Sequence, residues 1–234
     1  MPDSEIVTLD RFEIIFEPWS WPFAADRRAD IDRFFASLQQ DRPGVWNGRA
    51  LLLQRYAIDD GVLRGRCFET DYASLCAWRD WQFPDRNVHN VFSAAALQSA
   101  DGAWLVGEMA RDTAAAGLRY FPCGTPEPDD IDAAGKLDLT GNLVRELHEE
   151  TGLDIAEFAA APEWSFVRDR CYIALMKRLT AREPAEELRS RIMRTIARQE
   201  RPELVDIHII RSTDELSPAL PRFMTMFLEH AFGR

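Results

Sequence analysis

The sequence predicts an α/β (α+β) fold, a mixed sheet with helices on both faces. Three observations lead there. Stretches of strand-like and helix-like periodicity alternate along the chain. Short turn signals join some of the strands directly. One long apolar run reads as a strand buried on both sides.

The elements follow in order. Phe12, Ile14, Ile15 and Phe16 read as a strand closed by Pro18. Ile31, Phe34, Phe35 and Leu38 recur at helical spacing and predict a helix over 26–40, ended by Asp41-Arg42-Pro43-Gly44. Strands are expected at 50–58 and 62–69, with Asp59-Asp60-Gly61 as a hairpin turn between them. A short helix over 71–81 stops before Pro84. Strands at 88–98 and 104–109 flank a second turn, Ala100-Asp101-Gly102, and a short strand at 118–121 runs into Pro122. Residues 122–136, rich in Pro, Gly and Asp, form a loop. A helix follows over 140–151, with Gly152 placed for a left-handed C-cap. The run 165–179 is expected as a single strand, then a helix at 183–198, a strand at 204–210 and a final helix at 221–232.

The chain has 234 residues, 46% of them hydrophobic, enough for a substantial core without covalent staples. The best compositional break lies near 79–87. It divides an N-terminal extension, 1–86, expected to pack on the core and recognise substrate, from a catalytic domain, 87–234. The net charge of -11 argues against a nucleic-acid polymer as partner. It also means that an anionic substrate needs local cations, a metal or clustered arginines. Cys67, Cys76, Cys123 and Cys171 form no C-x-x-C pair and match neither a zinc site nor a disulfide framework, so reduced thiols in a cytoplasmic protein are expected. No signal peptide and no membrane-length apolar run is present, so no membrane partner is expected.

The informative segment is Arg145-Glu146-Leu147-His148-Glu149-Glu150-Thr151-Gly152-Leu153. On a helix, Glu146, Glu149 and Glu150 stand at i, i+3 and i+4 and share one face. Their mutual repulsion costs about 0.2–0.5 kcal/mol per pair. A divalent cation removes it, and carboxylate oxygens suit Mg²⁺ or Mn²⁺. Leu143, Val144 and Leu147 supply the apolar stripe that anchors the helix.

This string resembles the second half of the Nudix hydrolase signature, G-x5-E-x7-R-E-U-x-E-E-x-G-U, where U is aliphatic. Arg145, Glu146, Leu147, Glu149, Glu150, Gly152 and Leu153 match every fixed position of that half. In the first half, Pro122-Cys123-Gly124 stands where the family often has a P-G-G turn. Five residues separate Gly124 from Asp130, a substitute for the first glutamate of the pattern. About seven extra residues, around 131–137, then lengthen the loop to Arg145.

The resemblance implies a Nudix-type α/β/α sandwich with a mixed β-sheet and an N-terminal extension. It implies Mg²⁺- or Mn²⁺-dependent hydrolysis of a diphosphate bond in a nucleoside diphosphate linked to another moiety. The metal ligands carried over are Glu146, Glu149 and Glu150; Arg145 orients a glutamate; Glu149 or Glu150 helps deprotonate the attacking water. Gly124, Asp130 and Glu203 are further candidates, Glu203 as a carboxylate outside the signature, with Glu186, Glu187 and Glu200 as competitors. Trp46-Asn47-Gly48 and Thr70-Asp71-Tyr72, leading to Trp78, Arg79 and Trp81, resemble loosely the UDP-sugar pyrophosphatase branch. Arg111, Arg119 and Arg168 are candidate phosphate contacts. The alternative is a Nudix-like module that senses a nucleotide ligand without turnover. Family members are often dimers, so a homodimer is a further expectation.

Overall fold

The computed structural model describes residues 3–113 and 115–233. The N-terminal part begins with strands β1 (Ser4–Leu9) and β2 (Arg11–Phe16) and helices α1 (Pro22–Asp26) and α2 (Arg28–Asp41). It continues through β3 (Arg49–Asp59), β4 (Val62–Asp71) and α3 (Tyr72–Asp80). Next come β5 (Asn90–Gln98), β6 (Trp104–Met109), β7 (Arg119–Tyr120), α4 (Leu139–Thr151) and β8 (Ala159–Ala160). The chain closes with β9 (Trp164–Asp169), β10 (Tyr172–Thr180), α5 (Ala185–Ile196), β11 (Leu204–Ile210) and α6 (Arg222–Ala231).

The larger sheet runs β1-β9-β10-β5-β6-β11, with β7 paired to β6 and β8 to β10. It is mixed: β10 and β5 are parallel and their other neighbours antiparallel. Alternation along β5 divides the core in two. Val91, Ala95 and Leu97 pack with Leu143 and Leu147 of α4 and Leu188 and Ile192 of α5. Phe92, Ala94 and Ala96 pack on the opposite side with Phe223, Met224 and Phe227 of α6. This is the expected α/β/α layering.

A second sheet, β2-β4-β3, adds Leu51, Leu53 and Leu63 to the α4 side of the core. Asp60 and Gly61, both with positive φ, make the expected two-residue hairpin turn between β3 and β4. The tryptophans around α3 are mostly core: Trp78 is fully buried and meets Trp21 edge to face.

Two expectations change. The run 165–179 is not one strand but the hairpin β9–β10, reversed at Arg170 with φ 54°. No Gly, Pro or Asn marks that turn, and apolar residues on both sides hide it. Residues 4–9, read without an element, form β1 and pair antiparallel with β9 at the edge of the larger sheet. No described helix is long and apolar enough to cross a membrane.

Candidate active site

Helix α4 is held at both ends. The Asp138 side chain caps it by accepting from the Gly141 amide at 2.9 Å. Gly152 ends it in the left-handed region at φ 71°, and its amide donates to the His148 carbonyl at 2.7 Å. Leu139, Leu143 and Leu147 are fully buried, while Val144 is only partly so. The Ser93 hydroxyl of β5 reaches the Leu139 carbonyl at 2.7 Å and fixes the start of the helix to the sheet.

A polar chain runs from that anchor to the glutamates. The Asn142 amide lies 3.2 Å from the Ser93 hydroxyl and donates to the Asp130 carboxylate at 3.0 Å. Arg145 donates to both Asp130 oxygens at 3.2 Å and to Glu146 at 2.6 Å. A charge-assisted fork of this kind fixes the guanidinium plane and so the Glu146 carboxylate. The lengthened loop does not disturb it. The Asp138 amide donates to the Asp130 carbonyl at 2.8 Å, closing residues 131–137 into a side excursion. That excursion pairs back on itself at Ile131 and Leu137 and lies against Ile15 of β2.

Gly124 meets the other side of Glu146. A Cβ there would overlap the carboxylate, so only glycine lets the backbone approach so closely. The adjacent Cys123 amide points to Glu150 at 3.4 Å.

The carboxylates repel one another in a desolvated place. Glu146 is 9% exposed and Glu150 5%. Burial raises Glu146 to about 7; Arg145 opposes this, and Glu149, Glu203 and Asp130 add to it. Burial also raises Glu150 well above the carboxylate range, helped by Glu146 and Glu203. Glu149 is the open member, its side chain 58% exposed and 3.7 Å from Arg145. Glu203 precedes β11; it is raised by desolvation and then by Glu149 and Asp112. Among the described residues, no group of three or more His, Cys, Asp or Glu side chains stands close enough together to hold a metal ion as placed. The donor set is all oxygen, and the one arginine paired with it, Arg145, does not balance three glutamates, which fits a hard divalent cation.

These groups face a cavity of about 540 Å³, within the usual size of small-molecule sites. Arg145, Glu146, Glu149, Glu150, Gly124 and Glu203 all line it. Asp130 stands behind Arg145, outside the lining. Glu186, Glu187 and Glu200 do not line it either. Trp46 lies at its edge, 69% exposed, with its ring against Gly48. The loop is clamped there: Asn47 accepts from the Ala73 amide and the Gly48 carbonyl from the Tyr72 amide, each at 2.8 Å.

The arginines that reach the cavity are not the three expected from sequence. Arg119 is paired with Glu108 at 3.2 Å, Arg168 with Glu5 at 3.1 Å, and Arg111 is exposed in a turn outside the lining. Arg49, Arg79, Arg145 and Arg201 line it instead. Asn90 also lines it and carried no signal in the sequence. It falls inside the strand expected at 88–98, where nothing local distinguishes it.

No family model matches the chain, and no curated protein matches it. Several solved structures are similar to part of the chain. The MutT protein from Methanosarcina mazei Go1 is 15% identical, with 61% of this chain and 92% of that one covered at a TM-score of 0.38. A Nudix hydrolase from M. smegmatis, RenU, is 14% identical, with coverages of 61% and 82% and a TM-score of 0.37. A NUDIX hydrolase from Nitrosomonas europaea is 18% identical, with coverages of 62% and 91% and a TM-score of 0.33.

Proposed function

We propose that this chain is a hydrolase of the Nudix class that cleaves a phosphoanhydride bond with Mg²⁺ or Mn²⁺. Its substrate is a nucleoside diphosphate linked to another moiety, a nucleotide sugar being the form we favour. One observation carries the reading. The signature string from Arg145 to Leu153 places two desolvated, mutually repelling carboxylates, Glu146 and Glu150, on the wall of a cavity also lined by Glu149 and Glu203.

In this reading Glu146, Glu149 and Glu150 hold the ion. The chemistry that a Mg²⁺ or Mn²⁺ ion supplies is charge neutralisation at phosphoryl oxygens and acidification of water. Arg145, braced by Asp130, keeps Glu146 in place. Glu149 or Glu150 takes the proton of the attacking water, with Glu203 as a further carboxylate within reach of Glu149's field. Such catalysis rests on positioning and electrostatics. Residues 1–86 form the substrate-recognising extension and 87–234 the catalytic domain. The site belongs to a cytoplasmic protein, and a homodimer is its expected form.

The test is a Mg²⁺-dependent hydrolysis screen over nucleotide sugars, ADP-ribose, dinucleoside polyphosphates and coenzyme A, read by chromatography of the phosphomonoester products. Glu149→Gln and Glu150→Gln serve as controls, and Glu150→Gln is expected to lower turnover by orders of magnitude while the fold persists. Turnover that survives in EDTA, or a Glu150→Gln protein as fast as wild type, overturns the reading.

A further inference from the structure

Among the described residues, Arg79 is a cation with no carboxylate in ion-pairing distance. It sits in the last turn of α3, where a basic residue complements the helix dipole. That explains a cation near the helix end, but not its surroundings. Its guanidinium donates to the Tyr172 hydroxyl at 3.2 Å and lies 5.8 Å from that ring's centre. Tyr72, Tyr120 and Cys76 are its other titratable neighbours. Burial raises all three, so they stay neutral and cannot balance its charge. Among the described residues no carboxylate lies within ion-pairing distance of Arg79. Arg49 and Arg145, which also line the cavity, do have such partners, Glu69 and Asp130.

Asn90 supplies a second, independent observation. It is 4% exposed, lines the same cavity, and its Oδ1 has no hydrogen-bond partner. Its strand neighbour in register across β5 and β10 is Tyr172, the residue Arg79 bonds to. A buried acceptor without a donor costs about 1–3 kcal/mol unless a ligand or water satisfies it. Arg79 and Asn90 therefore offer a charged donor fork and an acceptor on one cavity, linked through Tyr172.

We propose that Arg79 and Asn90 form a recognition subsite for a phosphate ester of a polyol. Arg79 takes the phosphoryl oxygens, and Asn90 accepts from a hydroxyl of the attached moiety. The subsite rests on the reading that the cavity holds a phosphorylated substrate, and it deepens that reading by naming what the far end recognises. It lies beyond the carboxylate wall. Arg79, Asn90 and the glutamates line one cavity, so one elongated ligand can touch both ends.

The experiment is calorimetric binding to the full chain in EDTA, with glucose 1-phosphate, inorganic phosphate and glucose as probes. Wild type is expected to bind glucose 1-phosphate more tightly than phosphate or glucose. Arg79→Gln should weaken both phosphorylated probes about tenfold or more, the loss of a hydrogen bond to a charged group. Arg79→Lys should recover part of the loss, since it keeps the charge without the fork. Asn90→Ala should erase the advantage of glucose 1-phosphate over phosphate. Should Arg79→Gln fail to fold, the ¹⁵N resonance of Arg79 Nε in wild-type protein is expected to move on adding glucose 1-phosphate. No binding by wild type, a static Arg79 resonance, or equal affinity in a folded Arg79→Gln variant overturns the subsite. Binding that depends on Arg79 in a protein with no phosphoanhydrase activity would leave the subsite standing and sink the catalytic reading. Glu150-dependent turnover with unchanged KM and binding in Arg79→Gln would do the reverse.

Discussion

Replacing Glu146 by Gln should stabilise the metal-free protein at alkaline pH, because the native fold holds that carboxylate where its charge is unwelcome. Its ordinary value is 4.5, and burial followed by Glu149, Glu203 and Asp130 carries it to about 7 against the pull of Arg145. The folded state thus binds the proton more tightly than the unfolded state. Stability contributed by the protonated carboxyl is full below pH 4.5 and is lost as pH rises towards 7. Each pH unit is worth about 1.4 kcal/mol, so the loss approaches about 3 kcal/mol by pH 8. Gln keeps the shape and an acceptor for Arg145 but cannot ionise. Urea unfolding in EDTA at pH 5 and pH 8 reads the effect. The variant should gain up to about 3 kcal/mol over wild type at pH 8 and much less at pH 5. In melting temperature that is roughly 2–4 °C per kcal/mol for a chain of this size. Excess Mg²⁺ or Mn²⁺ should narrow the gap, because a ligand that binds only the folded state stabilises wild type by mass action. Identical stability of the two proteins at both pH values would refute the claim that burial outweighs Arg145 at Glu146.

Gly124→Ala places a methyl group inside the Glu146 carboxylate, so the backbone or the carboxylate must move. We expect Mn²⁺ affinity and turnover to fall together, with about 1–3 kcal/mol of stability lost; a variant with unaltered Mn²⁺ titration would show that this close approach is dispensable. His89 is buried and beside Arg168, and burial lowers it to about 4 from 6.5. Its neutral form stabilises the fold above pH 6.5, and about 3 kcal/mol is lost as pH falls from 6.5 to 4. His89→Gln should flatten that part of the pH–stability curve, and an unchanged slope between those limits would count against the assignment. Asp130→Asn removes the charge that braces Arg145, so turnover should drop while α4 stays folded by circular dichroism; full activity would mean that the fork is ornamental.

The sequence by itself determined the helix of the site and most of the sheet. Periodicity and cap residues are local, and α4 is written entirely in local terms: Asp138 before it, Leu139, Leu143 and Leu147 along it, Gly152 after it. Asp130 was legible by counting from Gly124, and the seven-residue excursion that follows confines itself by a local hydrogen bond to Asp138. Tertiary structure alone decided three things. The reversal at Arg170 carries no Gly, Pro or Asn, so only pairing across β9 and β10 reveals it. The raised pKa of Glu146 and Glu150 depends on burial, which arises only when the fold packs them against groups such as Gly124, more than twenty positions away in the chain. Arg79 and Asn90 belong to different elements and meet only through Tyr172 of a third. Spacing encodes what a helix presents on one face, whereas the field inside a cavity sums over groups that the chain brings together from afar.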